Sequence, residues 1–550
     1  MFVNKMCSKV FFVMAMAIAL SWSVPMQGLV PPALADTPEV VSATKNDGEV
    51  FINFSKPMNP LTVNRDTINI QVRLPGVGFG TLSGTVDYEE GTTAIFSSYS
   101  DFLPGLEYTL IIDTGAEDTE GNPLQSYYTW FFKLAEQTWN FAVMSDPHYY
   151  DTDLGTSGAA FEEYLASDRK LLRESEAILK AAVESVKTDS EADFVIIPGD
   201  LTKDGELSSH QEIAAYLKTL EDSGMQVYVV PGNHDINNPH ALSFNGDETT
   251  PVDTVTPEEF AQIYSDYGYG EAIYRHTGSL SYVAEPVPGL WLFGLDSCLY
   301  DENEALGKPV TSGRLSQETI DWVLEKLGQA KEQNKKVIGM MHHGLLEHFT
   351  GQSQFNPGSE YVIEDWENIS ETLAKAGLNL IFTGHYHAQD AVSKTWETAS
   401  LFDVQTGSLS TYPNPYRVVS YSQQDNKVDI VSEFITEIDY DTGSLSFQEY
   451  SESDLDEGLS GLIYYMLTLP PEQGGFGVPA EQAGVLVPYA ATAFKAHYAG
   501  DETPTQETLV MINTLIGSQD PTSKMLGQIL YSLWTDLPPA DNMLTIQLPD

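Results

Sequence analysis

Five runs of apolar residues, each closed by a small polar cluster, set the rhythm of the middle of this chain. They are Trp139 to Met144, Phe194 to Ile197, Val227 to Val230, Val337 to Met341 and Leu378 to Phe382. Short, continuous and bounded by turn residues, they read as buried strands. Between them apolar positions recur at helical spacing, as in Leu165, Leu171, Leu172, Ile178, Leu179, Ala182 and Val186, and again over 213–220 and 320–330. Strands alternating with helices predict an α/β domain over residues 137–437. Upstream the period changes to two. Alternating runs (Val50 to Phe54, Thr67 to Val72, Thr93 to Ser97, Tyr108 to Ile112, Tyr127 to Phe132), separated by Gly, Pro, Asn and Asp, predict an all-β module over residues 36–136. Downstream, amphipathic stretches near Leu459 to Leu469, Ala480 to Tyr498, Glu507 to Ile516 and Lys524 to Leu537 predict a small helical domain over residues 438–550. An acidic linker, Ser451 to Glu457, is expected to lead into it.

Residues 1–35 follow a different pattern. Lys5 and Lys9 precede an apolar stretch from Val10 to Val24, and Ala33-Leu34-Ala35 precedes Asp36. A positive start, an apolar centre and a small-x-small end form a signal peptide for export. The apolar centre falls short of the ~20 residues a spanning helix needs, so cleavage is expected rather than anchoring. No transmembrane segment is expected after cleavage, and the localisation expected is extracellular, cell-envelope or periplasmic. Cys7 lies in the leader, so Cys298 alone would remain and no intramolecular disulfide could form.

Charge narrows the partners. With 27 basic against 79 acidic residues the chain carries −52 at pH 7. Such a surface repels nucleic-acid backbones and anionic lipids, so no nucleic-acid polymer is expected as a partner. A small phosphorylated substrate is compatible, because bound cations invert the field locally.

The polar clusters closing the five strands carry the chemistry. They are Asp146-Pro147-His148, Gly199-Asp200, Gly232-Asn233-His234-Asp235, His342-His343 and Gly384-His385-Tyr386-His387. Open α/β sheets place their working groups at the carboxyl ends of strands, so all five are expected on one rim. Residues two apart in extended backbone point the same way, so Asp146 with His148, and His385 with His387, could each face a common centre. Carboxylates, imidazoles and one amide, without cysteine, suit two divalent metal ions of the Mn, Fe or Zn type.

In this order, each behind an apolar strand, the motifs resemble those of the calcineurin-like metallophosphoesterase superfamily, over about 300 residues. The resemblance implies a four-layer sandwich of two mixed sheets flanked by helices. It assigns Asp146, His148 and His387 to the first metal, Asn233, His342 and His385 to the second, and Asp200 to both. Cations ~3.5–4 Å apart can clamp the attacking and departing oxygens and lower the pKa of water toward neutrality, giving a hydroxide nucleophile. The resemblance further makes His234 the group that contacts the phosphoryl oxygen or protonates the leaving alkoxide, with Asp235 orienting it. A purely structural hydrogen bond at His234 stays open. The stretch from Gly199 to Glu206, with Pro231 to Asp235, is similar to the cyclic-nucleotide phosphodiesterase-like branch. Purple acid phosphatases place a tyrosine three residues after the bridging aspartate; here Lys203 stands there. The upstream module resembles bacterial Ig-like domains of exported proteins, through Phe54-Ser55-Lys56-Pro57-Met58-Asn59, Gly121-Asn122-Pro123-Leu124 and Tyr128-Thr129-Trp130-Phe131-Phe132.

Other residues are more ambiguous. His343 reads as a support for the ligands or a substrate-facing group, beside Gly344 where relatives often have proline. His210 and His348 are candidates for substrate contact, but surface or core histidines are the plainer reading, as for His240 and His276. Arg314 reads as a surface arginine. The function expected is an exported binuclear-metal phosphoesterase acting on phosphate mono- or diesters, cyclic nucleotides among them. The alternative is a non-catalytic surface or adhesion protein that keeps the fold as a scaffold, with cell-envelope association through the Ig-like module. Loops 149–160, 236–285 and 345–365 are expected to set the substrate.

Overall fold

The computed structural model describes residues 37–549 apart from 47, 75–76, 135–137, 167, 190 and 474. The leader expected over residues 1–35 lies outside the described residues. The chain divides into two compact units, Met1–Ala135 and Glu136–Asp550.

The strands of the first unit are β1 (Val40–Asn46), β2 (Glu49–Phe54), β3 (Ile68–Leu74), β4 (Gly78–Thr81), β5 (Gly84–Asp87), β6 (Thr93–Ser98), β7 (Glu107–Ile112) and β8 (Tyr128–Lys133). They form two four-stranded antiparallel sheets, ordered β1-β2-β6-β5 and β4-β3-β7-β8. The period-two sequences of β2, β3, β6 and β7 bury alternate side chains. Val50, Ile52, Ile68, Ile70, Phe96 and Leu110 fill the core of this β-sandwich. The expectation missed β1, β4 and β5. None of their residues is fully buried, so their sequences carry little alternation.

The second unit begins with β9 (Thr138–Val143), α1 (Ala159–Leu165), α2 (Ser175–Asp189), β10 (Phe194–Ile197), α3 (Leu207–Glu221) and β11 (Gln226–Val229). A hairpin, β12 (Leu242–Asn245) and β13 (Glu248–Pro251), and α4 (Pro257–Ile263) follow. Next come β14 (Tyr274–Arg275), β15 (Tyr282–Val287), β16 (Leu290–Leu295), α5 (Asn303–Leu306), α6 (Gln317–Glu332), β17 (Lys336–Met341), α7 (Trp366–Ala376) and β18 (Leu380–Thr383). Strands β19 (Asp390–Trp396), β20 (Ala399–Gln405), β21 (Pro415–Ser422) and β22 (Lys427–Phe434) lead to α8 (Phe447–Thr468), α9 (Ala480–Ala499), α10 (Gln506–Ile516), α11 (Pro521–Leu533) and β23 (Met543–Gln547).

Two mixed sheets result, ordered β11-β10-β9-β21-β22-β23 and β14-β15-β16-β17-β18-β20-β19. In the first, β9, β10 and β11 run parallel; in the second, β16, β17, β18 and β20 do. Apolar residues of both sheets, such as Phe141, Ile196, Met340 and Phe382, share one core, where Phe141 and Phe382 meet edge to face at 5.4 Å. Ile178, Ala182, Ile213 and Leu217 of α2 and α3 join that core from the first sheet's side, and α6 and α7 pack through Val323, Leu327 and Leu373 against Trp291, Phe293 and Ile381. This is the four-layer α/β sandwich expected.

Two features downstream differ from expectation. The stretch Ser451 to Glu457 is no linker, for it lies inside α8. Ser446 and Glu449 form a reciprocal capping box that starts the helix. Leu455, Leu459, Ile463 and Leu467 then make one buried stripe, and Lys495 of α9 pairs with Glu452 and Asp456 on the acidic turn. The second difference is β23, which pairs antiparallel with β22 and closes the first sheet. The C-terminal segment is thus mostly helical, yet it belongs to the same compact unit as the α/β sandwich.

Candidate dinuclear metal site

All five polar clusters follow strands of the two sheets. β9 leads to Asp146 and His148, β10 to Asp200 and β11 to Asn233, while β17 ends at Met341 before His342 and β18 leads to His385 and His387. Because these strands run parallel within their sheets, their carboxyl ends bring the clusters together. The backbone there is not extended as expected. Asp146, His148, Asp200, His385 and His387 all have left-handed φ, between 43° and 72°. Such angles are unfavourable for residues with a Cβ and are held only where surroundings over-determine them. Here they are held. Both Asp146 carboxylate oxygens accept from the His385 N–H at 3.1 Å, and Asp200 Oδ1 accepts from the His234 N–H at 2.9 Å. Close approach also explains two motif glycines. A Cβ on Gly232 would overlap Asp200, and one on Gly384 would overlap Ser145 and the Asp146 carboxylate.

Two groups of side chains converge so that each could hold a metal ion: Asp146, His148 and His387, and Asp200, His342 and His385. In the first, His148 Nε2 lies 3.0 Å from His387 Nε2, which is 3.6 Å from Asp146 Oδ1. In the second, His342 Nε2 lies 3.4 Å from Asp200 Oδ2 and 3.1 Å from Asn233 Oδ1. Asp200 Oδ2 is also 3.6 Å from His148 Nε2, so one oxygen reaches both groups. Ligands bound at about 2.1 Å in tetrahedral directions stand about 3.4 Å apart, which matches these separations. All of these residues are buried. The donor set therefore fits a pair of divalent cations.

Electrostatics agree with that role. Burial, reinforced by neighbouring cationic groups, holds His148, His385 and His387 well below the usual imidazole range, so their lone pairs are free for a metal. Burial, with the charge of Asp200, pushes the Asp146 carboxyl up to about 7. Burial opposes charge on His342, but Asp200 beside it prevails and raises it to about 9. Both shifts report charges packed closely in a buried site, where divalent cations would offset the carboxylates.

Partners without any motif signal orient these ligands. His342 Nδ1 donates to the Pro198 carbonyl at 2.9 Å, which leaves Nε2 for a metal. His387 Nδ1 meets the Thr411 hydroxyl at 3.2 Å, and His385 Nε2 the Glu360 carbonyl at 3.3 Å. Ser145 donates to Asp146 Oδ2, and Ser408 to the Asp146 carbonyl at 2.7 Å. Serines, threonines and main-chain carbonyls occur everywhere in a sequence, so only the fold picks these out.

One expectation is corrected. Asp235 does not touch the His234 ring. Its carboxylate accepts the N–H groups of Leu201, Thr202 and Gly232 at 2.8 to 3.1 Å and so ties the Asp200 loop to the Asn233 loop. Asp204 orients His234 instead, with Oδ1 2.9 Å from His234 Nδ1. Its other oxygen pairs with Lys203, an ammonium that is fully buried, 3.3 Å from Glu206 and over the rings of Tyr150, Tyr164 and Phe244. The position that differs from purple acid phosphatases thus anchors the partner of His234. Sequence reading missed Asp204, because no local pattern marks the aspartate four residues after Asp200 as the partner of His234.

The remaining histidines resolve as supports or core residues. His343 uses both nitrogens, towards the Ser297 hydroxyl and the Thr311 carbonyl at 2.8 Å each. His210 bonds Tyr264 and the Asp235 carbonyl, both at 2.8 Å, and His348 lies between Asp390 and Asp403. His276 packs on Trp322, whereas His240 is exposed. Arg314 pairs with Glu302 and Glu364 at the surface.

Residues 140–389 match the model of the calcineurin-like phosphoesterase family, and residues 30–134 that of the bacterial Ig-like domain. This chain carries a calcineurin-like metallophosphoesterase domain. The chain is similar to a probable glycerophosphodiester phosphodiesterase of Arcobacter nitrofigilis, 26% identical over 151 residues, which are 28% of this chain and 41% of that protein. The chain thus spans well under half the length of that curated relative. Among solved structures, a dimetal phosphatase from Danio rerio is 14% identical, covering 55% of this chain and 97% of its own, with a TM-score of 0.37. The N-terminal part of the bacterial S-layer protein SbsC is 27% identical, covering 18% of this chain and 24% of its own, with a TM-score of 0.16.

Proposed function

We propose that this protein is an exported, binuclear-metal phosphoesterase that hydrolyses phosphate mono- or diesters. The observation that carries the reading is the position of Asp200 Oδ2, 3.6 Å from His148 Nε2 and 3.4 Å from His342 Nε2. A carboxylate oxygen between two ligand groups is what a shared metal bridge requires. Asp146, His148 and His387 would hold one ion, Asn233, His342 and His385 the other, and Asp200 both. When bound, two divalent cations supply charge for the phosphoryl oxygens and make water nucleophilic near neutral pH.

The chain's own residues supply the rest. His234 is the most exposed member of the constellation, with 23% of its side chain accessible, and so faces incoming substrate. Burial opposes its charge, but Asp200 and Asp204 outweigh burial and raise its pKa. Its accessible ring is placed to donate a proton to the leaving oxygen. Asp204 accepts from Nδ1 and keeps Nε2 turned towards the substrate, while Asp235 holds the loops that carry Asp200 and Asn233. Export rests on the leader pattern and the Ig-like domain. No helix among the described residues is long and apolar enough to cross a membrane.

The test is metal analysis together with a substrate panel on protein loaded with Mn, Fe or Zn. Two equivalents of metal per chain and turnover of p-nitrophenyl phosphate or its bis-ester are expected, with cyclic nucleotides and glycerophosphodiesters as natural candidates. Asp200→Ala should lower metal content and reduce turnover about a hundred- to a thousandfold, the scale lost when a preorganised charge stabiliser is removed. A folded wild type that binds no metal and turns over no ester would favour the scaffold reading instead.

A further inference from the structure

A cavity of about 540 Å³ lies at the amino ends of β17 and β18, beside the last turns of α6 and α7 and the tail after β23. Lys336 starts β17 and His342 follows its last residue, so the length of that strand, roughly 20 Å at ~3.3 Å per residue, separates the cavity from the metal ligands. Its wall carries Lys331, Lys335, Lys336 and Lys375 and, among the described residues, no acid. That inverts the composition of a chain with 79 acidic and 27 basic residues. Helix dipoles account for part of it, since Lys331 and Lys375 stand in the last turns of α6 and α7. Carboxylates behind the wall offset two of the charges: Glu285 lies 2.6 Å from Lys335, and Glu371 2.5 Å from Lys375. Lys331 has no ion-pair partner among the described residues.

The wall holds a second, independent sign of a ligand. Tyr421 is only 2% exposed, and its ring packs edge-on against Trp139 at 5.3 Å. Its hydroxyl finds no hydrogen-bond partner among the described residues, although Tyr421 is part of the cavity wall. A hydroxyl taken from water costs free energy unless it is bonded. The ammonium groups beside it have no lone pair to offer, whereas the oxygens of an anion would accept from the hydroxyl and from the lysines together. Size adds to the description. The cavity falls in the ~300–1,000 Å³ range of small-molecule sites, and Leu327, Val337 and Leu548 give it an apolar side. A polyanionic polymer would continue past the cavity onto an acidic surface, while a small ligand stays within the ~8 Å over which the lysine field acts. We propose that this cavity binds a small organic molecule bearing a doubly charged phosphate-type group, at a site separate from the metal centre. The inference does not depend on the phosphoesterase reading.

The experiment is calorimetry at constant ionic strength on the full-length, metal-loaded protein. The probe is phenylphosphonate, which carries two charges and an apolar body and has no ester bond to hydrolyse; inorganic phosphate and benzoate are the comparisons. A phosphonate can also bind a metal pair, so Asp200→Ala separates the two sites. Phenylphosphonate binding through the cavity should persist in Asp200→Ala. It should weaken about tenfold in Lys331→Gln, the loss of one charge-assisted hydrogen bond, and about fivefold in Tyr421→Phe, the loss of a neutral one. Lys331 is exposed and phenylalanine keeps the ring on Trp139, so both variants should melt like wild type. Lys524→Gln removes an equal charge from an exposed position of α11 outside the cavity and should change nothing. Phosphate, without the apolar body, and benzoate, with one charge, should both bind more weakly. The site is overturned if binding vanishes in Asp200→Ala, if Lys331→Gln and Tyr421→Phe bind like wild type, or if Lys524→Gln weakens binding as much as Lys331→Gln. Benzoate binding as tightly as phenylphosphonate overturns the ligand class.

Discussion

At the scale of single residues, the site depends on contacts more than on the identity of its ligands. His234 illustrates this, since its neighbour in sequence, Asp235, serves the loops, while Asp204 on another loop holds its ring. Asp204→Asn should lower kcat about a hundredfold, the typical worth of a positioned proton donor, with bound metal unchanged by elemental analysis. Loss of metal in that variant would contradict the division of labour between Asp204 and Asp235. His348 offers a separate test through stability. Burial opposes its charge, yet Asp403 and Asp390 raise its pKa to about 10. An unfolded histidine titrates near ~6.5, so the folded state holds the extra proton between those values. Its contribution is full below the lower value and is lost as pH rises through the upper one. Asp541, raised to about 10 by burial and by Asp390, acts with the same sign. The melting temperature should therefore fall between pH 7 and 10, and His348→Gln should flatten that slope.

At the scale of elements, strand ends and the glycines beside them decide whether a ligand can reach the centre. Gly232→Ala should displace Asp200 and reduce bound metal, because the added methyl has no space. Gly328, exposed within α6 with nothing near a built Cβ, should behave in the opposite way. Its replacement by alanine should raise stability by about 0.5–1 kcal/mol in chemical denaturation, with activity unaltered. Strand existence was largely legible, since β10 falls on the apolar run Phe194 to Ile197 and β17 on Val337 to Met341 within one residue. The conformation after the strands was not. Alternation argues for extended backbone, whereas Asp146 and His385 are turned into left-handed geometry by a hydrogen bond between segments 239 residues apart.

At the scale of the molecule, the C-terminal segment completes the α/β unit instead of standing apart. β23 covers the edge of β22, and the buried Arg417 guanidinium donates to the Asp541 and Gln405 carbonyls at 2.6 Å each. One side chain on β21 thereby ties the tail to the end of β20 in the other sheet. Truncation after residue 540 should strand that charge and expose a sheet edge, lowering stability by about 3 kcal/mol or more and promoting aggregation. A truncated protein that melts like the full chain and stays monodisperse would refute this account.

Much of this architecture was determined by sequence alone. Period-two and helical patterns are local consequences of which faces are buried, so an all-β module, an α/β alternation and helices within 459–537 could be read directly, while the sandwich architectures came from the family resemblance. Ligand candidates were legible because Asp, Asn and His recur just after apolar strands. The tertiary structure decided what no local pattern encodes: Asp204 as the partner of His234, Pro198 and Thr411 behind the ligand imidazoles, and β23 on the far edge of a sheet. Each of these depends on a contact between segments distant in sequence, and the residues that make such contacts look ordinary until the fold brings them together.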